Sequence, residues 1–279
     1  GSRQGVTVAF NVINGQLLPI VRCTQDNMVF LARTPNENWW NRVYRDPTYF
    51  SSNMQTETQR HPFGYPIHEY EASRHIQDAK IRMDEIERFI HGTPGYLVDV
   101  GAGFGYLLVE AMTRGWQVAA IELNERAVQE LQAQGISTII KTALEFAEDI
   151  PSSVDVVTFF DVLEHFNNPT VALKKAKLML KDDGLLVIRV PDLSNLTLEN
   201  AQLLLGISRE HVSYFTKDTL EMLLVRNGYE IISIVPSGHQ VIDGVTYASS
   251  TVFARPISWA GGHKNTGASL RRRRLKESL

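Results

Sequence analysis

Glycines and acids with the types and spacing of a nucleotide pocket lie where one apolar run gives way to a helical pattern. Residues 97–105 read LVDVGAGFG, and the next short apolar run ends at Glu122. Glycine allows the backbone to turn tightly and to approach a ligand closely, and the N-terminus of the following helix can bind an anionic group. An acid at the end of the neighbouring strand can accept hydrogen bonds from both hydroxyls of a ribose. These residues therefore predict a nucleotide-binding turn.

Asp99 decides which nucleotide this turn favours. Its carboxylate lies beside the glycines, where it would repel a pyrophosphate but attract a ligand that carries an ammonium and a sulfonium. The residues therefore predict S-adenosylmethionine. A purely structural role for Gly101 and Gly103 is the disfavoured alternative, because it leaves the acids unexplained. A nicotinamide dinucleotide is also disfavoured, since its motif is Gly-x-Gly-x-x-Gly, whereas this chain has Gly101-x-Gly103-x-Gly105.

Two histidines in the second half of the chain could act as bases on an oxygen nucleophile, because imidazole exchanges its proton near neutral pH. His165 ends the segment FFDVLEH at residues 159–165, and His211 lies in EHVSYFT at residues 210–216. Either histidine alone is equally well explained by a structural or helix-capping role. Together with Asp161 in the first segment, they are the predicted catalytic residues.

Four segments in order resemble motifs of the class I S-adenosylmethionine-dependent methyltransferases. They are the glycine segment, FFDVLEH, DDGLLV at residues 182–187 and EHVSYFT. The resemblance covers roughly residues 70–255 and extends to small-molecule enzymes, including ubiquinone-biosynthesis O-methyltransferases and sugar and natural-product methyltransferases. Four motifs at matching spacing are far more specific than one glycine turn.

The resemblance implies a Rossmann-like α/β fold, with a mostly parallel seven-stranded sheet and an antiparallel last strand. The residue pattern before it adds a small N-terminal β-hairpin appendage. It implies that the methionine end of the cofactor lies near Asp99 and the glycines, the ribose near Glu122, and the adenine near Ala143 and Leu144. Asp161 would face the methionine or the acceptor. The implied cofactor-binding residues are Asp99, Gly101, Ala102, Gly103, Gly105, Glu122, Leu123, Ala143, Leu144 and Asp161.

The function implied is methyl transfer to a small molecule, and the two histidines favour O-methylation of a hydroxylated acceptor such as a sugar, a glycan end or a secondary metabolite. N- or C-methylation stays open. So does a non-catalytic, methyltransferase-like scaffold domain that contacts a partner through the basic run Arg271 to Arg274. The intact acids of the glycine turn argue against the scaffold.

The same resemblance raises a divalent metal as a second cofactor. In ubiquinone-type O-methyltransferases and small-RNA terminal ribose methyltransferases, an acid-x-x-Glu-His cluster binds such a metal, in the latter with a later histidine. This chain offers Asp161, Glu164, His165 and His211. Many relatives with this motif need no metal, and Asp161 is shorter than the glutamate of the metal-binding pattern. The prediction is therefore a site without metal, with this cluster as the alternative.

The elements that must position these residues alternate between apolar runs and helical patterns from residue 96 onward, as in a parallel sheet with right-handed crossovers. The predicted strands span 96–100, 117–121, 137–140, 154–160, 184–190, 230–235 and 246–254. The predicted helices span 71–91, 105–113, 125–134, 171–180 and 217–227. Left-handed glycines are predicted to end three helices, at Gly115, Gly135 and Gly228, and Thr216 is predicted to cap the last helix.

The chain divides by pattern into residues 1–65, a hairpin with an aromatic-rich cap, residues 66–257, the methyltransferase domain, and residues 258–279, a basic tail. Asn14-Gly15 between apolar runs is a strong hairpin signal, and residues 28–32 predict a third strand. Relatives often begin with a zinc ribbon, but Cys23 has no cysteine partner here, so no metal is expected at this end. A docking hairpin is favoured over a substrate lid.

The composition is that of a globular protein with a large core. The chain has 279 residues, 43% hydrophobic and 21% charged, with a formal net charge of -3. This charge provides no general attraction to nucleic acid or to a membrane surface. No apolar run reaches the roughly 18 residues that a membrane span needs, and one cysteine excludes an internal disulfide. A cytoplasmic enzyme with a solvated tail is therefore expected.

Overall fold

The computed structural model describes residues 5–13, 15–47, 49, 69–90, 92–139, 150, 153–195, 197, 210–242 and 245–257. The strands are β1 (Gly5–Ile13), β2 (Gln16–Cys23), β3 (Val29–Leu31), β4 (Tyr96–Val100), β5 (Gln117–Ile121), β6 (Ser137–Ile139), β7 (Val154–Phe160), β8 (Leu180–Asp192), β9 (Ser213–Tyr214), β10 (Tyr229–Ile242) and β11 (Val245–Pro256). The helices are α1 (Glu37–Arg45), α2 (Glu69–Glu87), α3 (Tyr106–Thr113), α4 (Glu125–Ala133), α5 (Pro169–Met179) and α6 (Lys217–Arg226).

A seven-stranded sheet with the order β10-β11-β8-β7-β4-β5-β6 forms the centre of the fold. Strands β4 to β8 run parallel, and β11 pairs antiparallel with both β8 and β10. The inner strands β4 and β7 are almost entirely buried, as expected for parallel strands covered on both faces. The Rossmann-like fold with an antiparallel last strand is therefore confirmed.

Three predicted strands have the predicted bounds, at 96–100, 117–121 and 154–160. The strand predicted at 184–190 is longer, because Leu180 already pairs with Val154 while Leu185 pairs with Val156. Residues 181–184 therefore bulge out of the ladder. The closing strands are also longer than predicted, since β10 and β11 continue their antiparallel ladder as far as Ile242 and Val245.

The helix ends follow local sequence signals. Gly115, Gly135 and Gly228 have φ angles of +89°, +77° and +77°, so each adopts the left-handed conformation predicted for it. Thr216 caps α6, since its hydroxyl accepts from the N–H of Thr219 in a capping box. Among the helices that the structure describes, none is long and apolar enough to span a bilayer.

The N-terminal strands form a second, four-stranded sheet with the order β1-β2-β3-β9. Strands β1 and β2 form the predicted hairpin, with Gly15 at φ +71°. The fourth strand comes from much later in the chain, because Val29 and Phe30 pair with Tyr214 and Ser213. The segment that carries His211 thereby continues into the N-terminal sheet, a strand that the sequence analysis did not predict.

The N-terminal sheet has its own apolar core. Trp40 and Tyr49 are 4% and 5% exposed, and they pack in one cluster with Leu193, Val212 and Tyr214 from the later chain. Residues on both sides of the predicted boundary at 65 thus share one core. Burial of these aromatic rings stabilises the contact between α1 and the segment after His211.

Candidate active site

The glycine turn after β4 adopts a backbone that other residues rarely adopt. Gly101, Gly103 and Gly105 have φ angles of +73°, +54° and +77°. A Cβ atom on Gly101 would lie 2.5 Å from Cγ2 of Val162, and one on Gly105 would lie 2.4 Å from Cδ2 of Leu131. Glycine is therefore required both by conformation and by packing. The turn leads directly into α3, whose first backbone N–H groups lack partners within the helix and suit an anionic ligand group.

Glu122 lies at the end of β5 with its carboxylate held by backbone groups. Oε2 accepts from the N–H of Gly103 at 2.7 Å, and Oε1 accepts from the N–H groups of Leu123 and Asn124 at 2.7 and 2.8 Å. Burial raises the pKa of Glu122, and these three hydrogen bonds oppose the rise. Each carboxylate oxygen can accept about two hydrogen bonds, so Oε2 retains capacity for a ribose hydroxyl.

Asp99 is a buried acid in the middle of the sheet, only 5% exposed. Its Oδ1 accepts a hydrogen bond of 2.5 Å from the hydroxyl of Thr158 on the neighbouring strand β7. Burial raises the pKa of Asp99 to about 7, against the opposing effects of Thr158 and Arg82. A cationic ligand group would relieve this desolvation, so the residue fits the ammonium of the predicted cofactor. Thr158 was not predicted from the sequence, although a hydroxyl in an otherwise apolar strand was a signal for it.

Asp161 follows β7 in the left-handed conformation, with φ +58°. Its carboxylate lies between two arginines, with Oδ2 3.8 Å from Nη2 of Arg82 and Oδ1 3.4 Å from Nε of Arg189. The guanidinium of Arg82 also lies over the ring of Phe160, 4.4 Å from its centroid. Both arginines were missed by the sequence analysis, because they come from α2 and β8 and share no local motif with Asp161.

The buried Glu164 and the partly buried His165 and His211 form a cluster beside the segment that follows β7. Their candidate ligand atoms all lie within 4.8 Å of one another, and the two imidazole rings are 4.8 Å apart at 83°. Nε2 of His211 lies 3.8 Å from Oε1 of Glu164. Neither carboxyl oxygen of Glu164 has a hydrogen-bond partner among the described residues. The structure thus brings together three of the four residues of the predicted cluster and pairs the fourth, Asp161, with arginines.

Burial controls the charge of this cluster. It lowers the pKa of His165 to about 4, and it lowers the pKa of His211 well below the ordinary value, with a further decrease from the neighbouring His165. Burial also raises the pKa of Glu164 well above its usual range. Both imidazoles are therefore neutral near pH 7 and keep a lone pair. Two neutral imidazoles and a carboxyl group without another described partner form a donor set that fits a divalent cation.

Helix α1 and the residues just after it contact both the histidine cluster and the loop that follows Glu122. The hydroxyl of Tyr44 lies 3.2 Å from Nδ1 of His165, and the hydroxyl of Tyr49 donates to Oε1 of Glu210 at 3.5 Å. On the other side, Nδ2 of Asn124 donates to the backbone carbonyl of Tyr44 at 3.1 Å. These contacts were not predicted from the sequence. Ala143 and Leu144, predicted near the adenine, and the basic run from Arg271 lie outside the described residues.

Known methyltransferases match the part of the chain that carries the glycine turn and the histidine cluster. A family model described as a methyltransferase domain matches residues 72–234. The ubiquinone biosynthesis O-methyltransferase of Xanthomonas oryzae pv. oryzae is 30% identical over 115 residues, which are 39% of this chain and 48% of that protein. The chain therefore spans about half the length of the curated relatives that it matches.

Solved structures resemble the fold at low sequence identity. A SAM-dependent methyltransferase from Archaeoglobus fulgidus has a TM-score of 0.52 at 15% identity, covering 64% of this chain and 94% of that one. The 1,6-didemethyltoxoflavin-N1-methyltransferase of Burkholderia thailandensis, solved with 1,6-didemethyltoxoflavin and S-adenosylhomocysteine, has a TM-score of 0.54 at 16% identity, covering 89% and 99%. At these identities the likeness establishes the fold alone.

Proposed function

Because the chain belongs to the class I S-adenosylmethionine-dependent methyltransferases, we propose that it transfers the methyl group of this cofactor to an oxygen of a small hydroxylated molecule. A sugar, a glycan end or a secondary metabolite is the proposed acceptor. One observation carries the choice of oxygen, which is the pair of partly buried, neutral imidazoles of His165 and His211, whose rings lie 4.8 Å apart beside the segment that follows β7.

The donor pocket holds the cofactor by charge and shape. In this proposal Asp99 binds the ammonium of the methionine end, Glu122 binds the ribose, and the glycine turn allows the backbone to approach the ligand. Methyl transfer is an in-line displacement at the sulfonium carbon, so most of the rate enhancement comes from holding donor and acceptor in line. Asp161, fixed by Arg82 and Arg189, lines the side where the methionine and the acceptor meet.

The histidine cluster acts on the acceptor. A neutral imidazole can accept the hydroxyl proton as the oxygen attacks the methyl group, and His165 and His211 are the proposed bases. A divalent cation, when bound, would be held by Glu164, His165 and His211 and would lower the pKa of the acceptor hydroxyl. In both modes the carbon–sulfur bond breaks as the oxygen–carbon bond forms, and the neutral thioether leaves.

The test is methyl transfer to matched acceptors. Panels of phenols, sugars and other small alcohols are incubated with the protein and S-adenosylmethionine, beside amines of the same skeleton, and mass spectrometry locates the added methyl group. A methyl ether as the main product supports the proposal. Methyl groups found only on nitrogen or carbon refute it, and calorimetry without detectable cofactor binding would instead indicate a scaffold domain.

The mode of acceptor activation is tested on the same reaction. The protein is treated with a chelator, its metal content is measured, and turnover is compared before and after. Turnover that survives in metal-free protein assigns the imidazoles as bases. Turnover that is lost and then restored by a divalent metal supports the metal mode, in which Glu164, His165 and His211 are the proposed ligands.

A further inference from the structure

A chain of hydrogen bonds joins the donor-binding loop to the histidine cluster through the C-terminal end of α1. We propose that Tyr44 is a positioning residue for His165, and that Asn124 holds the backbone of Tyr44 against the loop that carries Glu122. The inference rests on the proposed function, in which Glu122 binds the donor and His165 acts on the acceptor. One helix end then sets the geometry of both ligands.

Asn124 is the anchor, and every polar atom of its side chain has a partner. It is 1% exposed. Its Oδ1 accepts from the N–H groups of Arg126 and Ala127, both at 3.1 Å, which caps α4. Its Nδ2 donates to the carbonyls of Tyr44 at 3.1 Å and Asp46 at 2.7 Å. The last carbonyls of a helix lack partners within it, so this amide completes the end of α1.

The same residue also holds the donor-binding acid. The backbone N–H of Asn124 donates to Oε1 of Glu122 at 2.8 Å. Any displacement of α1 that breaks the amide contacts therefore disturbs Asn124, whose backbone N–H holds the ribose-binding carboxylate of Glu122. Because Asn124 is buried and fully hydrogen-bonded, it cannot move without leaving polar atoms unpaired. The position of α1 and the position of Glu122 are thus linked through one side chain.

Tyr44 carries this link to the acceptor side. Its ring stacks on Trp40 with centroids 5.7 Å apart at 16°, and it meets Tyr49 edge-on at 5.5 Å and 77°. These contacts hold the ring, and its hydroxyl reaches Nδ1 of His165 at 3.2 Å. A hydrogen bond at Nδ1 fixes the orientation of an imidazole and which of its nitrogens carries the proton. Neither the stacking nor the edge contact needs the hydroxyl, so phenylalanine would keep the packing and lose the hydrogen bond.

The experiment uses conservative variants of the full chain. Tyr44→Phe is expected to lower kcat about tenfold, the effect of one hydrogen bond, while the Kd of S-adenosylmethionine stays within about twofold because the backbone carbonyl of Tyr44 is unchanged. Asn124→Asp keeps an oxygen to cap α4 but puts a second carboxylate oxygen where Nδ2 donates to the carbonyls of Tyr44 and Asp46. The resulting repulsion displaces the end of α1, so the variant is expected to raise the donor Kd and to lower kcat. Tyr229→Phe is the matched control, since its hydroxyl donates to the carbonyl of Leu173 and kcat should not change.

The two variants are also combined. If the two residues act through one chain of hydrogen bonds, Tyr44→Phe lowers kcat by a smaller factor in the Asn124→Asp background than in the wild type, because the hydrogen bond to His165 is already misaligned there. Independent, additive losses overturn the link through Asn124. An unchanged kcat in Tyr44→Phe overturns the positioning role while methyl transfer itself, and hence the proposed function, persists.

A readout without turnover separates the two claims. In ¹⁵N-labelled protein, the NMR signals of the ring nitrogens of His165 are expected to shift in Tyr44→Phe, while the signals of His211 change little. In the Tyr229→Phe control, the signals of both histidines should change little. Unchanged His165 signals overturn the positioning role even when no acceptor is methylated. Failure of every acceptor in the wild type, with shifted signals in Tyr44→Phe, counts against the proposed function and leaves the contact established.

Discussion

Replacing Asp99 by asparagine should stabilise the protein without ligand while weakening donor binding. Burial raises the pKa of Asp99 from 3.8 to about 7, and each pH unit corresponds to about 1.4 kcal/mol. The ionised form therefore destabilises the folded protein by about 4 kcal/mol above pH 7. Because the folded state binds this proton more tightly than the unfolded chain, the free energy of unfolding falls as pH rises from about 4 to about 7.

The variant removes this titration and keeps the shape of the side chain. The amide oxygen of asparagine can still accept the hydrogen bond from Thr158, so the main change is loss of the charge. We expect the difference in unfolding free energy between Asp99→Asn and the wild type to rise by about 2 to 3 kcal/mol from about pH 5 to about pH 8. Other titrating groups are common to both proteins and cancel in this difference.

Donor binding should respond in the opposite direction. A hydrogen bond between charged groups contributes roughly 1.5 to 3 kcal/mol, so the variant should bind S-adenosylmethionine roughly 10- to 100-fold more weakly. In the wild type, affinity should fall as pH drops below about 7, because Asp99 becomes protonated there. In the variant this pH dependence should be lost.

Urea unfolding at the two pH values and calorimetric titration with S-adenosylmethionine measure both effects. Thr158→Val serves as a second variant. Its loss of the hydrogen bond that lowers the pKa of Asp99 should move the fall in donor affinity to higher pH. A difference in stability that does not depend on pH, or a variant that binds the donor as tightly as the wild type, would refute the role given to this carboxylate.

Three further perturbations test other parts of the structure. Gly101→Ala should destabilise the fold by about 1 to 3 kcal/mol and weaken donor binding, because its Cβ would lie 2.5 Å from Val162. Gly15→Ala is the control, since Gly15 has a similar φ but no atom within 4 Å of the added Cβ, and its donor affinity should be unchanged. Equal donor affinity of the two variants in calorimetry would contradict this prediction. His211→Ala should lower kcat at least tenfold with a donor Kd within twofold, and steady-state kinetics that show normal turnover would remove its role. Arg114→Ala removes ion pairs of 2.7 to 2.9 Å to acids of α2 and α3. The free energy of unfolding, measured in urea, should fall by about 1 kcal/mol, and by less in high salt. A decrease that does not depend on salt would contradict the electrostatic origin.

The residues proposed to bind the donor could be singled out from the sequence because they lie close together along the chain. Asp99 and the three glycines lie within seven consecutive residues, 99–105, and the strand, turn and helix that they form follow from backbone preferences that each residue carries in any context. Glu122 ends the next strand, and parallel strands bring their carboxyl ends to one edge of the sheet. The strand bounds at 96–100 and 117–121 were accurate for the same reason.

The partners of these residues could not be predicted, since they are distant in sequence. Thr158 is 59 residues from Asp99, and Tyr44 is 121 residues from His165. Strand β9 is only two residues long, too short for any periodicity to indicate it. Its pairing with β3 depends on the N-terminal core and on no local signal.

The amino-acid sequence alone indicated the strands of the seven-stranded sheet, the tight glycine turn and the chemistry that suits a cationic, adenosine-containing cofactor, because these depend on local preferences and on hydrophobic periodicity. Helix α1 and strand β9 were not predicted. Only the tertiary structure decided that Asp161 pairs with arginines while Glu164 lies with the two histidines, and that α1 connects the donor loop to this cluster. These outcomes depend on side chains from separate elements meeting in a buried site, where desolvation and hydrogen bonding set their charge and orientation.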